Sequence, residues 1–176
     1  MTRDGLAKKI YETSHITGEF LLRSGKTSNE YFDKYLFESQ PELLKAIAEQ
    51  MTPLIPGGSE LFAGLEMGGI PIAAALSINT GKPSIFVRKK AKEYGTRKLA
   101  EGVEFKGKKV CVIEDVVTTG GQIIESVEEL RNLGAEISEV MCVIVREPKA
   151  FENLAAAGLK LIPLFSMEEL KKVAGE

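Results

Sequence analysis

The chain is poor in the residues that several common chemistries need. It has a single histidine, His15, so a His-rich metal site, zinc hydrolysis and a Ser-His-Asp triad are all poor fits. The two cysteines, Cys111 and Cys142, lie inside the apolar runs KVCVIED and VMCVIV and read as buried strand thiols, not as a disulfide. No apolar run reaches the length that spans a bilayer, and the N-terminal MTRDGLAKKIYE has no apolar signal core. A cytoplasmic protein with no membrane association is expected. Net charge is only −2, so general nucleic-acid binding is not expected and any basic site must be local. Internal repeats, low-complexity tracts and long linkers are missing too, which leaves one domain over residues 1–176.

What is present is an ordinary globular composition, 44% hydrophobic and 27% charged over 176 residues. Such a chain can bury about two thirds of its unfolded surface. The spacing of Leu6, Ile10 and Tyr11 predicts a helix through RDGLAKKIYETS, and GEFLLRSGKTSNEYFDKY reads as two extended segments around a turn at Ser24-Gly25-Lys26. Pro41 opens a helix, PELLKAIAEQM, where its missing N–H costs nothing. Strands and helices then alternate: ELFAG, GGIPIAAALSINT, PSIFVRK, KKVCVIED, GQIIESVEELRNLG, ISEVMCVIVRE, LKLIPLF and SMEELKKVAG. Near-continuous Val, Ile and Leu in the strands is the pattern of a parallel sheet covered on both faces. The expected fold is α/β, an open and mostly parallel sheet with a small N-terminal cap. Ligands of such sheets sit beyond the carboxyl ends of the strands.

The stretch VCVIEDVVTTGG carries the chemistry. Glu114 and Asp115 end an apolar strand, and Gly120 and Gly121 open the next helix. The turn between them can aim several N–H groups and the positive end of the helix dipole at one anion, with Thr118 and Thr119 adding hydroxyls. It is neither a Walker loop nor a dinucleotide G-x-G-x-x-G. A carboxylate pair beside an anion site calls for a ligand that also carries neutral donors, such as vicinal ribose hydroxyls. A 5-phosphoribosyl group has both; the plainer alternative is a solvated strand end before a helix cap.

A second feature is FVRKKAKEYGTRKLAEG. Between Arg88 and Gly102, six basic residues (Arg88, Lys89, Lys90, Lys92, Arg97, Lys98) face two acidic ones (Glu93, Glu101), a local charge of +4 in a chain of −2. Without an apolar period, the segment reads as a long loop of the kind that serves as a lid, or else as a solvated basic surface.

VIEDVVTTGG resembles the phosphoribosyl-pyrophosphate (PRPP) motif of type I phosphoribosyltransferases, and the basic stretch with its GTRKLAEG continuation resembles that of orotate phosphoribosyltransferases. The resemblance implies a PRPP-binding core over 57–165 and a hood over 1–40 that helps bind the base. It implies that Glu114 and Asp115 hold the ribose hydroxyls and that Val117, Thr118, Thr119, Gly120 and Gly121 cradle the 5-phosphate. Arg88, Lys89, Lys92 and Tyr94 would contact PRPP or its pyrophosphate, with Lys92, Lys89 and Asp115 as the catalytic set. Met67, Gly68 and Gly69 would form the pyrophosphate loop, and Arg146, Thr118, Arg23, Tyr31 and Phe32 would bind orotate. It further implies a homodimer whose basic loop reaches the neighbouring site, and Mg²⁺ held mainly by PRPP with no direct protein ligand. The expected reaction joins orotate to PRPP, giving orotidine 5′-monophosphate and pyrophosphate. A transferase for a purine or other base, and a non-catalytic PRPP-binding regulator, stay open at this point. Tyr94 stands where many relatives have histidine, and Gly68 where some have lysine.

Overall fold

The structure is a computed structural model, and it describes residues 1–21, 25–90 and 99–176. Helix α1 (Arg3–Ser14) is followed by an antiparallel hairpin, β1 (His15–Leu21) and β2 (Thr27–Phe32), and by a short helix α2 (Lys34–Glu38). Helix α3 (Pro41–Met51) starts on its proline as expected. Then come β3 (Leu61–Leu65), α4 (Gly69–Thr80), β4 (Ser84–Val87), β5 (Ala100–Gly102), β6 (Lys109–Val117) and α5 (Gly121–Asn132). The chain closes with β7 (Glu136–Val145), α6 (Lys149–Ala156), β8 (Lys160–Ser166) and α7 (Met167–Ala174).

Six strands form one sheet in the order β5-β4-β3-β6-β7-β8. All neighbours run parallel except the edge strand β5, which is antiparallel to β4. Alternation along β6 sends Cys111 and Ile113 to one face and Val110 and Val112 to the other. The first face is covered by apolar residues of α1, α3, α4 and α7, the second by those of α5 and α6. Both thiols are free and buried, so the expected strand cysteines are found.

Chain order reverses between β3 and β6: the strand after β3 is laid on one side of it and β6 on the other. The carboxyl ends at such a reversal leave a crevice that helices do not fill. The 65–69 loop after β3 and the 118–121 turn after β6 both open there.

Three local expectations are corrected. Lys34 and Tyr35 lie in α2 and not in an extended segment, because the Asp33 carboxylate accepts the Tyr35 N–H at 3.1 Å and starts a turn of helix. Strand β6 runs on through Val116 and Val117, which pair with Ile144 and Val145 of β7. Residues 100–102 of the expected loop form β5, held to β4 from Ala100 to Gly102.

The last helix has a strong start. Ser166 accepts the Glu169 N–H at 3.1 Å, and the Glu169 carboxylate accepts the Ser166 N–H at 2.6 Å while also receiving Arg3 of α1. Although burial opposes it, these bonds hold the Glu169 carboxyl below its usual range. Ser166→Ala should cost about 1 kcal/mol, read as a melting temperature lower by roughly 2–4 °C in a domain of this size. A depressed carboxylate stabilises the fold above its unfolded value, so this contribution should fade as pH falls through the folded one.

Candidate active site

At the end of β6, Asp115 is fully buried and Glu114 partly exposed. Glu114 accepts the Asp115 N–H at 3.0 Å, and Asp115 Oδ1 accepts the Val116 N–H at 2.5 Å. Lys34 Nζ lies 2.5 Å from Asp115 Oδ2. Burial, then the hydrogen bond and charge of Asp115, push the Glu114 carboxyl well up. For Asp115 burial acts in the same sense, but bonds from Glu114, Glu38 and Lys34 outweigh it and hold this carboxyl low. The cluster thus keeps one ionised carboxylate opposite one ammonium.

Between β6 and α5, Thr118, Thr119 and Gly120 make the turn. Gly120 has φ +84°, a left-handed conformation that glycine adopts without strain, and its Cα faces Leu154 so closely that a Cβ would lie 3.0 Å away. Helix α5 starts on Gly121 with no side-chain cap, so its first N–H groups are available to an anion, and Thr118 and Thr119 are exposed beside them. Asn153 fixes the turn from behind by donating to the Thr119 carbonyl at 2.8 Å. Val117 differs from its neighbours: its side chain is buried and its carbonyl accepts the Arg146 N–H at 2.8 Å, so only its backbone borders the turn.

Across the crevice, the 65–69 loop brings Gly68 against the Asp115 carboxylate, while Met67 is exposed and Gly69 packs on the Ile113 carbonyl. Glu66 accepts the Lys89 N–H at 2.8 Å, tying this loop to the root of the basic stretch. Arg88 Nε lies 3.8 Å from Glu101 of β5, and Lys89 is exposed. Lys92, Tyr94 and Arg23 lie outside the described residues.

Four of the five residues expected to bind the base, Tyr31, Phe32, Thr118 and Arg146, lie around common cavities. A cavity of about 190 Å³ is lined by Tyr31, Phe32, Lys34, Thr118 and Arg146, and a larger one of about 680 Å³ shares all of these except Lys34. Phe32 has two roles, since it also packs on the core beside Tyr11 and Phe37. His15 is structural: it stacks on Tyr11 and bonds Glu30 at 2.9 Å, with Glu176 near its other nitrogen. Among the described residues, the potential metal-ligand atoms that converge within 4.8 Å are those of His15, Glu30 and Glu176, and His15 and Glu30 line the larger cavity together with Thr118. No helix among the described residues is long and apolar enough to cross a membrane.

Two residues of this site were not expected from the sequence, Lys34 and Glu38. Their i, i+4 spacing puts both on one face of a helix, but that signal is readable only once residues 34–38 are taken as helical.

An α/β sheet with an uncapped helix start and an acidic strand end at its chain reversal defines a class that holds a phosphorylated sugar. A family model described as a phosphoribosyl transferase domain matches residues 37–158. An orotate phosphoribosyltransferase from a Nocardioides species is 50% identical over 171 residues, covering 97% of this chain and 96% of that protein. The crystal structure of the Mycobacterium tuberculosis orotate phosphoribosyltransferase with Fe(III) dicitrate superposes with a TM-score of 0.86 at 30% identity, covering 96% of this chain and 98% of that one. The same enzyme in complex with PRPP gives a TM-score of 0.82 at 27% identity over 96% and 98% of the two chains. The chain belongs to the orotate phosphoribosyltransferase family.

Proposed function

We propose that the protein transfers the 5-phosphoribosyl group of PRPP to orotate, releasing pyrophosphate and forming orotidine 5′-monophosphate in pyrimidine biosynthesis. The observation that carries this reading is the uncapped start of α5 one short turn beyond the strand that holds Glu114 and Asp115, with Gly68 of the facing loop packed against Asp115 at the chain reversal. The phosphate is bound by the N–H groups after Gly120 and by the hydroxyls of Thr118 and Thr119. The ribose hydroxyls donate to Glu114 and to Asp115, whose charge and orientation Lys34 maintains. Orotate lies in the cavity of Tyr31, Phe32, Thr118 and Arg146, its carboxylate paired with the Arg146 guanidinium, and Arg23 joins it from the hood over residues 1–40.

A ring nitrogen of orotate, its proton already given up to solvent, attacks the anomeric carbon with its lone pair while the bond from that carbon to the pyrophosphate oxygen breaks, that bond's electron pair leaving with pyrophosphate. Charge therefore gathers on the departing group. Arg88, Lys89 and Lys92, with Tyr94 as a neutral donor, stabilise it, and preorganised donors of this kind are each worth ~10²–10³ in rate. Mg²⁺ fits as a companion of the substrate, because it keeps several waters and prefers substrate phosphate oxygens to an all-protein cage. When bound it neutralises the pyrophosphate charge. Asp115 is already engaged by Lys34, which suits a metal carried mainly by PRPP.

The basic stretch leaves and rejoins the fold at the β4–β5 edge, two strands from β6. That position supports a homodimer in which it serves the neighbouring site. We take the chain to act as a single unit over 1–176, with the PRPP core at 57–165. A cytoplasmic setting keeps its two free thiols reduced.

The test is direct. Protein, Mg²⁺ and PRPP are mixed with orotate and the orotate absorbance is followed; a PRPP-dependent fall is expected. Turnover with a purine but not with orotate would replace the base assignment. PRPP binding without turnover on any base would mean a regulator.

A further inference from the structure

Glu38 is the last residue of α2 and is only 8% exposed. Its Oε1 is fully buried, and among the described residues no N–H or O–H is aimed at it in hydrogen-bonding geometry. It faces the Asp115 carboxylate: a Cβ built on Gly68 would overlap Asp115 Oδ2 and lie 2.8 Å from Glu38 Oε1. Two ionised carboxylates meeting in a buried space, with one ammonium paired to Asp115, leave one negative charge uncompensated. Such a charge costs several kcal/mol unless a proton neutralises it. A proton on Glu38 settles both problems, because it cancels the excess charge and supplies the missing donor between the two groups.

We propose that Glu38 is a positioning residue of the ribose site: it carries a proton at neutral pH, donates it in a hydrogen bond to Asp115, and with Lys34 holds that carboxylate ionised and oriented beneath the sugar. The inference deepens the PRPP reading and rests on it for its kinetic consequences. The groups that face Glu38 are Asp115 of β6 and, on its own element, Lys34 and the capping Asp33. Burial first, and then the hydrogen bond and charge of Asp115, push the Glu38 carboxyl up to about 9. A shared proton between like-charged carboxylates is the usual resolution of such contacts. It also serves the ligand. PRPP is strongly anionic, and a floor of one carboxylate matched by one ammonium repels it far less than three ionised acids would.

The sign of the pH effect follows. The donor is present below about pH 9 and is lost as pH rises through that value. An extra negative charge then appears beside Asp115. The kcat/KM for PRPP should therefore fall on the alkaline side with an apparent midpoint that belongs to the Glu38–Asp115 pair.

Three variants and one spectrum test this. Glu38→Ala removes the donor and should lower kcat/KM for PRPP about 10²-fold, as a small misplacement of a reacting group does. Glu38→Gln keeps a donor that cannot ionise; it should recover most of that loss, and its alkaline fall should move to higher pH or vanish. Glu38→Asp keeps the acid but shortens its reach, and should show the alkaline fall together with a raised KM for PRPP. Infrared difference spectra of ligand-free wild type minus Glu38→Gln at neutral pH should show a protonated-carboxyl C=O band. That band needs no substrate, so it separates this inference from the PRPP assignment. A Glu38→Gln pH profile that superimposes on wild type, or a difference spectrum showing an ionised carboxylate instead, overturns the proposal. A purely structural Glu38 would lower the melting temperature in all three variants and leave the pH profiles unchanged.

Discussion

Gly68→Ala is expected to lower kcat/KM for PRPP by at least about 10²-fold while leaving the fold intact. The residue sits at φ −73° and ψ −27°, a right-handed conformation open to alanine, so backbone strain has no part in the effect. Space decides it. The added methyl would overlap the Asp115 carboxylate and approach Glu38 at 2.8 Å, and neither neighbour is the free end of an exposed side chain. Asp115 is pinned by the Val116 N–H and the Lys34 ammonium, and Glu38 is buried under α2. Either the carboxylate rotates off the ribose site or the 65–69 loop lifts away from it, and a shift near 1 Å at a reacting group costs on the order of 10²-fold. Overpacking of this kind destabilises by about 1–3 kcal/mol, so circular dichroism should stay native while the melting temperature drops. Gly57→Ala is the control: nothing lies within 4 Å of its added Cβ, and activity should be unchanged. Wild-type kinetics in Gly68→Ala would mean that the loop does not need to approach Asp115.

How much of this was legible in the sequence varies with the range of the signal. The α/β alternation and the glycine turn that leads into α5 are local patterns, and both are found where spacing and turn chemistry put them. The burial of Asp115 was not legible. Its neighbours in VCVIEDVV give no hint that Asp115 is the fully buried carboxylate and meets an ammonium, because Lys34 lies 81 positions away in the chain and is brought in by the packing of α2. Helix α2 itself was hidden because it is five residues long, and propensity over so short a span decides little against the extended hairpin before it. The Asp33 cap was the available cue. Strand β5 was hidden for a related reason: Ala100–Gly102 is an edge strand of three residues, held by pairing to β4 and not by its own composition.

Arg146→Ala should lower kcat/KM for orotate by on the order of 10²–10³-fold and leave PRPP binding nearly unchanged. The residue directly follows β7, where its backbone N–H bonds the Val117 carbonyl at 2.8 Å, so its Cα is fixed to the sheet at the mouth of the crevice. Its exposed side chain lines both cavities together with Phe32 and Thr118. A planar guanidinium matches a carboxylate with two parallel hydrogen bonds, which a flexible ammonium does not reproduce. Truncating one member of such a desolvated pair costs roughly 2–5 kcal/mol, and 1.4 kcal/mol is a factor of ten. Arg146→Lys should therefore fall between alanine and wild type. The decisive comparison uses uracil, which has the same ring without the carboxylate. If Arg146 reads that group, the preference of wild type for orotate over uracil should collapse in Arg146→Ala, because only the orotate rate depends on the lost pair. Equal losses on both bases would instead make Arg146 a general support of the pocket, and recognition of orotate would then fall to Thr118, Arg23, Tyr31 and Phe32.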